Sequence, residues 1–72
     1  MPRKSKNIHF YIIQLKTEHG WSFWDGLFHK KASANRKVRE DRKEGYDNYY
    51  LRVHPESMTS AEIAEMGVPF QD

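Results

Sequence analysis

The sequence predicts an α+β domain of order ββαβα: a small three-stranded antiparallel sheet, one polar helix and a short C-terminal helix. Three observations carry that expectation. Two runs rich in large apolar side chains, 8–17 and 21–29, flank a His19-Gly20 break, and six of the ten aromatic residues fall within 8–29. Residues 33–44 contain neither proline nor glycine and stop at Gly45. Thr59-Ser60-Ala61-Glu62 reads as a capping box, in which a Thr hydroxyl and a Glu carboxylate satisfy each other's backbone N–H groups at a helix start.

Residues 1–7 offer nothing to bury and read as a flexible basic arm ahead of a single domain over 8–72. In the hairpin that follows, a two-residue His19-Gly20 loop would pair Glu18 with Trp21, Leu15 with Trp24, Ile13 with Gly26 and Tyr11 with Phe28. That register makes one face uniformly apolar: Tyr11, Ile13, Leu15, Trp24 and Phe28. A three-residue loop would set Ile13 opposite Asp25 and mix charge into both faces, so the apolar pattern favours the shorter loop. Gly26, inside a strand, marks a bulge or a close approach, here by a helix crossing the apolar face.

Residues 33–44 then read as a helix with Ser33 as N-cap and Gly45 just past its end. Its apolar stripe is thin: Ala32, Ala34, Val38 and Tyr46. The alternative is an edge strand over 37–40 in a small barrel. Residues 49–54 alternate, with Tyr49, Leu51 and Val53 on one face and Tyr50, Arg52 and His54 on the other, and Pro55 is expected to end the ladder. A helix over 60–66, closed by Gly67, is too short to persist alone. It must dock through Met58, Ile63, Met66, Val68 and Phe70.

Composition excludes several functions. With 72 residues and no cysteine, the chain has no disulfides, thiolate metal sites or thiol nucleophiles, which suits a reducing cytoplasm. No apolar run approaches the ~20 residues a membrane-spanning helix needs. The four histidines show no zinc-binding spacing. The serines occupy cap or loop positions, and the isolated glycines form no phosphate loop. No catalytic, metal or cofactor site is expected, and no small-molecule substrate.

What remains is binding. The second hairpin face carries Phe10, Ile12, Gln14, Lys16, Phe23, Asp25, Leu27 and His29, and a small domain with one core is expected to leave that face open. Phe10, Ile12, Phe23 and Leu27, with Trp21 at the end and Lys16, Asp25 and His29 as a mixed-charge rim, are the residue types expected at a protein interface. The partner would be another protein or a second copy of this chain. The alternative is direct nucleic-acid binding, with bases stacked on the sheet aromatics and phosphates met by Arg3, Lys4, Lys6, Lys30, Lys31, Arg36, Lys37 and Arg39.

Charge is polarised along the chain. Residues 1–44 carry eleven Lys/Arg against five Asp/Glu, while residues 45–72 carry one Arg against five acids. In size, cysteine content and polarised charge the chain is similar to inhibitors that phages and mobile elements direct at host machinery, anti-CRISPR proteins among them. That likeness rests on composition and no motif, and implies a nucleic-acid-handling protein as target.

Overall fold

β1 (Ile8–Thr17) is the central strand of a three-stranded antiparallel sheet, with β2 (Gly20–Phe28) on one side and β3 (Leu51–Met58) on the other. Helix α1 (Lys31–Asp41) joins β2 to β3, and helix α2 (Ser60–Met66) follows β3. The order is ββαβα, as the sequence predicts. The computed structural model describes residues 7–46 and 49–72. The expected basic arm, with Arg3, Lys4 and Lys6, lies outside the described residues apart from Asn7.

The hairpin turns one residue earlier than expected. Glu18 and His19 form the turn, and Thr17 pairs with Gly20. The Thr17 hydroxyl explains the choice: it accepts the His19 N–H at 3.2 Å and donates to Gly20 O at 2.9 Å. This local bonding lets His19 keep a negative φ and passes the positive value, 114°, to Gly20. Near the tip the pairs are therefore Leu15–Ser22 and Gln14–Phe23, in place of Leu15–Trp24 and Ile13–Gly26.

Two irregularities in β2 then shift the register to Ile13–Asp25 and on to Tyr11–Phe28, the one expected pair that forms. Bulges of this kind bend a strand and re-aim its side chains. Gly26, with φ 77°, lies at the second bulge, and a Cβ there would overlap the Phe28 ring. The close approach expected of a helix is made by this neighbouring ring.

α1 is a helix and no edge strand. Its N-cap residue is Lys30, whose side chain caps nothing, and Ser33 falls inside the first turn. Past Asp41 the chain winds through one wider turn, Arg42–Tyr46, which Gly45 closes at φ 113°. β3 begins at Leu51 and runs through Pro55, which does not end it. Edge position is the reason. Lys16 N–H donates to Tyr50 O at 2.9 Å, so even-numbered β1 residues make the backbone bonds to β3 and the Tyr11–Pro55 pair falls between them. The Pro55 nitrogen, lacking a proton, thus points to the open edge. α2 carries the expected capping box between Thr59 and Glu62 and closes at Gly67.

Both faces of the sheet are packed. α1 lays Ala34 and Val38 against Ile13, Phe28 and Leu51, with Tyr11, Leu15, Trp24 and Val53 around them. On the opposite face Ile63 of α2, with Met58, Val68 and Phe70, covers Phe10, Ile12 and Leu27. The segment after α2 also extends the sheet: Phe70 bridges Leu27 in parallel, and Gln71 N–H donates to Leu27 O at 2.9 Å. The second hairpin face is therefore core over its inner half, contrary to the sequence expectation. Phe10 is 1% exposed and Leu27 0%.

Candidate partner-binding site at the hairpin end

Covering elements stop short of the hairpin tip. Beyond Phe10, Ile12 and Leu27, the α2 face of the sheet continues through Gln14 and Lys16 of β1, Trp21 and Phe23 of β2, and Arg52 of β3. The ladders place them side by side: Gln14 lies between Phe23 and Arg52, and Lys16 is opposite Trp21. The Lys16–Tyr50 backbone bond brings Tyr50 to the same end. Trp21 is 38% exposed, Phe23 47% and Tyr50 74%.

The patch is partly organised. Arg52 Nε donates to Gln14 Oε1 at 2.8 Å, and the guanidinium carbon lies 4.0 Å from the centre of a Trp21 ring. A cation over an indole face gains from the ring quadrupole and holds the indole in one orientation. Arg52 therefore spans the sheet from β3, fixing Trp21 of β2 across β1. Exposed Lys16 adds a second positive charge. The nearest acid in sequence, Glu18, sits in the turn, 3.8 Å from the His19 ring.

Of the residues expected to bind a protein, the structure brings together Lys16, Trp21 and Phe23. Phe10, Ile12 and Leu27 are core because α2 and the segment behind it reach them. Asp25 and His29 hold that segment down. Asp25 accepts from Gln71 Nε2 at 3.1 Å, and the His29 ring stacks on Phe70 at 3.8 Å. Tyr50 and Arg52 are additions. The alternation of 49–54 put them on one face, but only strand pairing joined that face to the hairpin patch.

The basic residues divide differently. Lys37 is committed to Asp41 at 3.4 Å and Asp25 at 3.8 Å. Partial desolvation works against the Lys37 charge, but attraction to Asp41 and the hydrogen bond Lys37 donates to it, helped by Asp25 and Glu44, raise its pKa above the ordinary 10.5. Asp41, 4% exposed, also accepts the Trp24 indole N–H at 3.2 Å. Tyr46 and Tyr49 pack edge-on around Trp24, each at 5.4 Å. That cluster is structural, pinning the end of α1 to β2. Lys30 and Lys31 are exposed at the start of α1, and Arg36 lines a groove beside Glu40 and Asp72. Arg39 lies in a separate groove of about 320 Å³ between α1 and β3. These cations form no single stripe.

Among the described residues, no three His, Cys, Asp or Glu side chains come together as a metal site. No helix among them is long and apolar enough to cross a membrane. No protein-family model matches this chain, and comparison with curated proteins and with solved structures returns no match to either.

Proposed function

We propose that this chain is a non-catalytic protein-binding module that engages its partner through the hairpin-end patch. The observation that carries the reading is the Trp21–Arg52 stack at the uncovered end of the sheet, with Phe23, Tyr50 and Lys16 around it. Trp, Tyr and Arg dominate the energetics of protein interfaces, and a pre-oriented indole loses little freedom on docking. A strand-built patch is also more rigid than a loop. The positive charge of Lys16 and Arg52 fits a partner surface that pairs apolar side chains with carboxylates.

Direct nucleic-acid binding is the second reading, favoured by the same aromatic and cationic side chains. Affinity capture from a lysate, with and without nuclease, separates the two. The protein reading expects a captured protein that survives nuclease, weakens only shallowly with salt as its few exposed charge pairs are screened, and is lost with Trp21→Ala/Phe23→Ala. Each well-buried anchor of this kind contributes on the order of 2 kcal/mol. Capture abolished by nuclease, with affinity falling log-linearly in salt, would overturn it in favour of nucleic acid.

A further inference from the structure

The outer edge of β3 is an unused pairing surface that adjoins the hairpin patch, sharing with it Arg52, which lies between Leu51 and Val53 and also lines the groove there. Among the described residues no strand pairs with it. The ladder phase set by Lys16 and Tyr50 directs the backbone N–H and C=O groups of Leu51 and Val53 outward, together with the Pro55 carbonyl. Pro55 offers no N–H and interrupts the edge, so the successive outward residues that both donate and accept are Leu51 and Val53, with Ser57 alone beyond the break. The other edge of the sheet differs: β2 is bent by its two irregularities and partly bridged by Phe70.

That short edge coincides with a cationic flank. Leu51 and Val53 line the α1–β3 groove together with Asn35, Val38, Arg39 and Arg42. Arg39 and Arg42 are exposed, and among the described residues neither has a carboxylate within ion-pair distance. The acids of the helical segment fall elsewhere: Glu40 lines the groove beside Ser33 and Asp72, while Asp41 and Glu44 line the one beside Trp24. Arg36 and Lys37 share those grooves with the acids, whereas the groove over the β3 edge is lined by arginines and, among the described residues, by no acid, which leaves that flank positive.

We infer that β3 accepts an extended, acidic segment of a partner protein as a fourth strand, paired at Leu51 and Val53, with its carboxylates meeting Arg39 and Arg42. Strand addition supplies affinity through main-chain bonds and specificity through alternate side chains. A second copy fits poorly. Pairing two β3 edges antiparallel would turn the Arg39–Arg42 flanks of both copies toward each other across the seam, and like charges there repel. A nucleic-acid strand would meet the arginines but would leave the Leu51 and Val53 main-chain groups without strand pairing.

The test is an NMR titration of the ¹⁵N-labelled chain with three probes: an alternating Glu–Val decapeptide, the matching Lys–Val decapeptide and a thymidine decanucleotide. The Glu–Val peptide should shift the Leu51 and Val53 amides and slow their hydrogen exchange. Arg39→Glu/Arg42→Glu should weaken it by about tenfold or more, as expected when two charge-assisted contacts turn repulsive. Phe23→Ala alone, which leaves the Trp21–Arg52 stack in place, should leave it unchanged, so failure here is distinct from failure of the hairpin patch. Three results would overturn the inference: no response at Leu51 and Val53, equal binding of the Lys–Val peptide, or a response to the oligonucleotide alone. Sedimentation showing a dimer that Arg39→Glu/Arg42→Glu leaves intact and the peptide cannot displace would also overturn it.

Discussion

Asp72 and His29, 43 positions apart, meet at the start of α1: the Asp72 carboxylate accepts the His29 backbone N–H at 2.8 Å. Its second oxygen accepts Lys30 N–H, also at 2.8 Å. α1 has no acid in its own first turn and no side-chain N-cap. Asp72 places a negative charge there, where the helix dipole favours one, while bonding the two N–H groups just ahead of the first turn.

This contact makes stability pH-dependent in a defined window. The His29 N–H first, then Lys30 N–H and the Ser33 hydroxyl, outweigh the cost of burial and hold the Asp72 carboxyl at about 2, against an ordinary 3.8. A depressed carboxyl pKa stabilises the fold above the unfolded value and loses that contribution as pH falls through the folded one. Asp72→Asn should therefore melt below the parent at pH 7, and the gap should close as pH falls from 3.8 to about 2. Thermal melts of both proteins across that range measure it. A gap that persists at pH 1.5 would refute the linkage.

Leu27→Ala and Phe10→Ala should each destabilise by roughly 3–5 kcal/mol, because both truncate fully enclosed side chains under α2. A domain this small has little more than that in total, so urea titration should find both variants largely unfolded. Phe23→Ala, on the exposed half of the same face, should cost under about 1 kcal/mol.

Asp41→Ala should destabilise by about 1–3 kcal/mol, since it strips the Trp24 indole N–H and Lys37 of their shared partner. Loss of the fixed Trp24 environment in near-ultraviolet circular dichroism would accompany it. Lys37 adds an alkaline counterpart. Its raised pKa means its contribution is complete below 10.5 and fades as pH climbs through the folded value.

Gly26→Ala should cost more than its size suggests. The backbone there has a positive φ, 77°, and the new methyl would collide with the Phe28 ring. The strain alone is worth about 1–3 kcal/mol. Gly20→Ala at the turn meets open space and should cost less. Comparing the two melts separates ring overlap from backbone strain.

Local signals along the chain determined the element order, the α2 capping box and the identity of one packed face, because each depends on residues within a few positions of one another. The turn shows where that range ends. A Thr17 hydroxyl moved it by one residue, and two bulges then restored Tyr11–Phe28 at the far end, so face assignments near Trp24 could not follow from alternation alone. Pro55 reads as a stop until β3 is known to be an edge strand. Tyr50 and Arg52 read as one outward face of a strand, but which neighbours that face would meet depended on pairing. Only the tertiary structure decided that α2 and the segment behind it bury Phe10, Ile12 and Leu27 and leave Trp21 and Phe23 in solvent. The reason is reach: a two-turn helix covers only part of a long hairpin, and where it lands is set by Phe70, Gln71 and Asp72 gripping β2 and the start of α1, contacts more than forty residues apart in sequence.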